Sequence, residues 1–126
     1  MSEADDYAAI HRQMQAYFDG LYHSDTGLLR PVFHPDARYV CATADELVNI
    51  GMDAYFALVD KREPPAARGE RRRDAVVAIA FAGPKTAFVR ANCAIGPRYC
   101  TDFLTLIKTA DGWQIISKVF HYDLEA

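Results

Sequence analysis

Three turn pairs, Gly83-Pro84, Gly96-Pro97 and Asp111-Gly112, cut the second half of the chain into strand-length pieces. Glycine reaches backbone conformations that other residues avoid, and proline has no N–H for a central ladder, so such pairs end strands. The pieces run near Arg68–Ala82, Lys85–Ile95, Tyr99–Thr109 and Trp113–Tyr122 and are rich in β-branched and aromatic residues. They predict a meander, and the Asp-Gly pair is a strong hairpin signal.

The first half reads differently. Tyr7, Ile10, Met14, Tyr17, Phe18 and Leu21 recur at helical spacing and predict one helix from about Asp5 to His23, with Ser2 or Asp5 as its cap. Ser24-Asp25-Thr26-Gly27 breaks it, and Asp25 starts a short second helix that Pro31 limits. Pro35 holds His34 extended. Two short strands, Arg38–Ala42 and Glu46–Ile50, precede a third helix marked by Met52, Tyr55, Phe56 and Val59, which ends before Pro64-Pro65. Helices followed by strands make an α+β fold, and 126 residues fit a single domain spanning 1–126.

Composition excludes several function classes. The net charge of −3 gives no electrostatic footprint for nucleic acid. No apolar run reaches the roughly 18 residues of a membrane span. The N-terminal Met1-Ser2-Glu3-Ala4-Asp5-Asp6 lacks the basic and apolar regions of a secretory signal. Cys41, Cys93 and Cys100 are odd in number and lack metal-type spacing, so they read as free thiols of a cytoplasmic protein. The four histidines show no zinc spacing, and there is no glycine-rich phosphate loop. No metal and no cofactor is expected. Glu70-Arg71-Arg72-Arg73 reads as a solvated rim or a dimer salt bridge before it reads as a phosphate site.

Register picks out a candidate site. With Asp111-Gly112 as a two-residue loop, Ala110 faces Trp113, Leu104 faces Val119 and Asp102 faces His121. With Gly96-Pro97-Arg98 as a three-residue loop, Asn92 faces Asp102. Asn92, Asp102 and His121 then form one row, with neighbouring β-carbons about 4.5–5.5 Å apart. A slip of one residue would turn every member to the other face.

The element order, with "YFDGLYHSD" from Tyr17 to Asp25, "FHPDARYV" from Phe33 to Val40 and "DFLTLIKTADGWQIISKVFHYD" from Asp102 to Asp123, resembles the nuclear transport factor 2-like superfamily. The closest likeness is to its putative lumazine-binding branch, related to SnoaL-like polyketide cyclases. The resemblance implies a cone-shaped, curved, mixed or antiparallel sheet wrapped around the long N-terminal helix, a cystatin-like α+β barrel with an apolar interior. It also implies a homodimer through the outer sheet face, here Phe103, Thr105 and Ile107 with Ile116, Lys118 and Phe120. Ketosteroid isomerase, in the same superfamily, uses a tyrosine, a protonated aspartic acid and an aspartate base. Tyr17 falls at the tyrosine, Asp102 near the protonated acid, and Cys41 at the base, so the carboxylate base is absent.

Each candidate has a plainer reading. Tyr17 is an oxyanion donor or a core aromatic. Asp102 and His121 are a general acid–base pair, with Asn92 orienting a ligand, or a satisfied polar trio. His34 and Asp36 read as turn chemistry, although His34 is a ligand contact if it points inward. Tyr39 and Tyr55 offer a flat guest an aromatic wall or fill the core. Cys41 is a pocket thiol. Three functions compete: a binding protein for a small apolar or aromatic ligand, a cofactor-independent lyase or isomerase working through Asp102, His121 and Tyr17, and a protein-association module.

Overall fold

The computed structural model describes residues 2–125. Helix α1 spans Glu3–His23, and Ser2 and Asp5 form a reciprocal capping box at its start. Ser24 ends α1 in the left-handed region at φ 47°. Asp25 then caps α2, Thr26–Leu29, by accepting from the Gly27 and Leu28 amides. The two helices meet at Gly20, where a β-carbon would lie 2.6 Å from Leu29.

Strands β1, Phe33–Cys41, and β2, Val48–Ile50, lead into α3, Met52–Lys61. A short 3-10 helix over Pro65–Arg68 follows, then β3, Ala75–Phe81, β4, Thr86–Ile95, β5, Arg98–Thr109, and β6, Gly112–Leu124. The first meander segment, β3, begins later than its sequence predicts because the arginine run leaves the sheet. Arg72 pairs with Asp19 on α1 and with Asp74, and Arg73 pairs with Glu125.

The sheet order is β2-β1-β6-β5-β4-β3. Only β1 and β6 run parallel, so the sheet is mixed, and it stays open between its β2 and β3 edges. The apolar stripe of α1 lies in its hollow. Ile10, Met14, Tyr17 and Leu21 are buried with Val89, Leu104, Leu106 and Ile115 of β4 to β6. Each such side chain contributes about 1.5–3 kcal/mol by leaving water. Met52, Tyr55, Phe56 and Val59 of α3 close the core over β1. This is the expected α+β architecture. No helix among the described residues is long and apolar enough to cross a membrane.

Two register expectations fail. A type I′ turn needs positive φ at both Asp111 and Gly112. Gly112 has φ 90°, but Ser24 is the only non-glycine among the described residues with positive φ. The tight turn therefore sits on Ala110-Asp111, with Thr109 facing Gly112 and Lys108 facing Trp113. The β5–β6 register then shifts between Leu106 and Thr105, which face Ile115 and Ser117, leaving Ile116 as the extra residue. Beyond it, Leu104 faces Lys118, Asp102 faces Phe120 and Thr101 faces His121. On the other side Gly96-Pro97 is itself the loop, so Ile95 faces Arg98 and Asn92 faces Thr101.

Candidate functional site

The shifts take the predicted row apart. Asp102 points inward and has no exposed surface, whereas His121 and Asn92 belong to the outer face. His121 binds Thr43 Oγ1 through Nδ1 and Asp123 Oδ1 through Nε2, each at 2.9 Å. It is not paired with Asp102. Lys118 and Phe120, expected outside, are buried inside instead.

Tyr17 and Asp102 do meet. From the middle of α1 the Tyr17 hydroxyl donates to Asp102 Oδ2 at 2.5 Å. The Cys93 thiol approaches the same oxygen at 3.8 Å, while Asp102 Oδ1 is buried without a partner. Burial, then the neighbouring carboxylate, pushes the Tyr17 phenol well above its ordinary value, so it remains a donor across the physiological range.

Lys118 is the residue that sequence reasoning missed. Its ammonium lies 4.9–5.5 Å from the ring centroids of Tyr17, Tyr39, Tyr55 and Phe120, an aromatic box around a buried cation. Burial works against its charge. The oxygens of Tyr55, Asp102 and Tyr39 act the other way, and the net direction is upward from the ordinary value, which favours the ammonium. The signal that could have found Lys118 is the bulge, which no local motif announces.

The other predicted residues are dispersed. Tyr39 stacks on Tyr55 at 4.6 Å, with an interplanar angle of 25°. Both line a cavity of about 410 Å³, together with Leu58, Arg62, Arg68 and Arg98, at the end of the sheet where β4 turns into β5. Cys41 is buried and lines an adjoining hollow of about 200 Å³ that shares Tyr39, Leu58 and Arg98 with the first. His34 accepts from the Asp36 amide through Nδ1 at 3.0 Å and borders a small hollow with Phe33 and Phe56. The contact is local to the start of β1 and is made by the His34 ring rather than by the Asp36 side chain, and that hollow does not include Asp102.

Cys93 and Cys100 face each other across β4 and β5 as free thiols, and with Asp102 their ligating atoms lie within 4.8 Å of one another. The group has the geometry to hold a soft cation. The hydrogen bond between the two thiols, with burial, pushes Cys93 well above its ordinary value, and the same hydrogen bond holds Cys100 below its own, while the Lys118 charge lowers both.

The model of the family described as putative lumazine-binding matches residues 5–121. Aldolase FrzH of Cladobotryum sp. is 25% identical over 118 residues, covering 92% of this chain and 90% of that protein. A nuclear transport factor 2-like protein of unknown function from Shewanella baltica superposes with a TM-score of 0.87 at 24% identity, covering 98% of each chain. Another from Silicibacter pomeroyi gives 0.85 at 22% identity, covering 98% of this chain and 100% of that one.

Proposed function

The chain belongs to the putative lumazine-binding family of the nuclear transport factor 2-like superfamily, and we propose that it binds a small planar molecule at the open mouth of its cone. One observation carries this reading: the cavity of about 410 Å³ walled by the Tyr39 and Tyr55 rings. That volume lies within the range of small-molecule sites, and stacked aromatic rings suit a flat guest. The family's description names lumazine, a flat bicyclic heteroaromatic. Residues 1–126 work as one domain in this reading. The exposed Val77, Phe103 and Val119 on the outer face support a homodimer, and three unpaired cysteines suit a reducing cytoplasm. Neither nucleic acid nor membrane is a partner.

Titration of lumazine into the purified chain, followed by protein fluorescence and ligand-detected NMR, tests the reading. Saturable binding that Tyr39→Ala weakens about tenfold or more supports it. Absence of binding by lumazine and by a panel of flat bicyclic compounds at millimolar concentration refutes it.

A lyase is the second reading, favoured by the buried Tyr17–Asp102 pair beside Lys118 and by a relative named as an aldolase. Lys118 acts on Asp102 electrostatically, whereas His121 lies on the outer face. This reading ranks second because the mouth cavity is lined by Tyr39 and Tyr55 but not by Tyr17, Asp102 or Lys118.

A further inference from the structure

The chemical class of the guest follows from the polar atoms around the mouth that lack partners, an inference that rests on the binding reading above. Among the described residues, the buried side-chain polar atoms without a hydrogen bond are Ser24 Oγ, the Tyr55 hydroxyl, Arg62 Nε and Nη2, and Asp102 Oδ1. Tyr55 and Arg62 both line the mouth cavity. Their three orphan groups can all donate. Leaving such groups unpaired costs roughly 1–3 kcal/mol each, which a guest offering acceptors recovers.

The two Arg62 atoms form one edge of its guanidinium. That edge presents two parallel N–H bonds, the geometry that matches the two oxygens of a carboxylate. Among the described residues that line the mouth, no free carboxylate is left to take it. Glu63, the acidic residue of the lining, is engaged by Arg68 at 3.3 Å, and Arg68 also holds Glu70 at 2.7 Å. The third arginine, Arg98, lies over the Tyr122 ring at 4.1 Å. Beneath the aromatic wall, the Lys118 ammonium is 5.5 Å from the Tyr55 ring centroid, and both Lys118 and Arg62 act electrostatically on the Tyr55 phenol. The mouth is therefore electropositive in a chain whose net charge is −3.

We propose that the mouth cavity is a carboxylate site. Its guest is a planar aromatic acid whose carboxylate accepts two hydrogen bonds from the Nε–Nη2 edge of Arg62 and a third from the Tyr55 hydroxyl, while its ring lies against Tyr39. Arg62 follows α3 directly and precedes the turn at Pro64-Pro65. The Arg62 edge and the Tyr55 hydroxyl are both shielded from solvent in this conformation, so the guest reaches them when the Arg62 side chain swings aside.

A matched pair of probes tests this, 2-naphthoate and 2-naphthamide, titrated into the full chain at neutral pH by calorimetry. The expected result is a preference for the carboxylate of about tenfold or more, eroded by salt. Arg62→Met should abolish the preference, and Arg62→Lys should lose most of it by keeping the charge without the fork. Equal affinity for both probes leaves the binding reading standing and overturns the carboxylate. Binding of neither overturns the carboxylate, and the lumazine titration then decides the binding reading. Should the Arg62 variants fail to fold, the matched pair on the native chain decides alone.

Discussion

Two buried carboxylates, Asp6 and Asp102, sit toward opposite ends of the same helix–sheet interface, and they have been finished differently. Asp6 Oδ1 accepts from Lys108 Nζ at 2.9 Å and from Trp113 Nε1 at 3.1 Å. Asp102 accepts a short hydrogen bond from Tyr17 on one oxygen and has no partner on the other, and the nearby Lys118 is held by rings rather than by a carboxylate. Each end also carries a hollow of similar size, about 400 Å³ beside Asp6 and about 410 Å³ at the mouth. Volume does not separate them. The hollow beside Asp6 is lined by Pro84, Lys85, Lys108, Thr109 and Ala110, with no aromatic surface. The mouth has a stacked tyrosine pair and donors without acceptors. A satisfied polar cluster locks a fold, whereas an unsatisfied one in an otherwise close-packed core waits for a ligand.

The largest effect should come from Asp102→Leu. It leaves the Tyr17 hydroxyl buried without its acceptor, at a cost of about 1–3 kcal/mol, and also takes a nearby acidic group away from the buried Lys118 ammonium, which adds to the loss. Urea denaturation measures it. A loss below about 1 kcal/mol would mean that the aromatic box alone sustains the charge, and the Coulombic link to Asp102 would be dropped. Next, adding Lys118→Met and Tyr17→Phe to Asp102→Leu should restore stability and carry it about 1–4 kcal/mol above the native chain, because both desolvated charges and the hydroxyl that needed Asp102 are gone. Replacing Asp6 and Lys108 by apolar residues should give no such gain, since the Trp113 N–H would lose its acceptor. A gain at both ends would erase the distinction between them.

The fold was legible in the chain because each element announces itself locally. The α1 stripe, the Asp25 cap and the Gly-Pro turns act over a few residues and agree with one another. Tyr17 and Asp102 were also legible, since one lies mid-helix and the other on a strand whose inward face is Asp102, Leu104 and Leu106. His121, Asn92 and Lys118 were not. Their faces depend on the loop at Gly96-Pro97, the turn at Ala110-Asp111 and the bulge at Ile116, each a matter of one residue. Side chains alternate along a strand, so one residue is the whole difference between inside and outside. Arg62 carried no signal, because only the three-dimensional placement of Arg68 takes Glu63 away from it.

Acid tests the Asp6 end by a milder route. Hydrogen bonds from Lys108 and then from Trp113 hold the Asp6 carboxyl below its ordinary value of 3.8. A carboxyl depressed in the folded state contributes stability that is fully present above that value and is lost as pH falls through the folded one. The melting temperature of the native chain should therefore exceed that of Asp6→Asn most clearly near neutral pH. The gap should close as pH drops below 3.8. Parallel melting curves from pH 7 to pH 2 would show that Asp6 is not anchored by its two donors.

The smallest change in stability, and the sharpest division between folding and binding, should come from Tyr55→Phe. The ring packs between Tyr39 and Phe33 and stays in place, while the deleted hydroxyl is buried without a partner. Removing an orphan donor gives back its desolvation cost, so stability should hold or rise by about 1 kcal/mol. Burial, opposed by Lys118 and Arg62, leaves that phenol raised and protonated in the neutral range, so no charge is lost with it. Binding of an aromatic carboxylate should nevertheless weaken several-fold, because the guest loses one of its three donors. The equivalent removal at the other end, Trp113→Phe, deletes a hydrogen bond to Asp6 that is already made and should cost stability. A destabilised Tyr55→Phe with unchanged affinity would place the hydroxyl among the structural groups and make the two ends of the molecule alike.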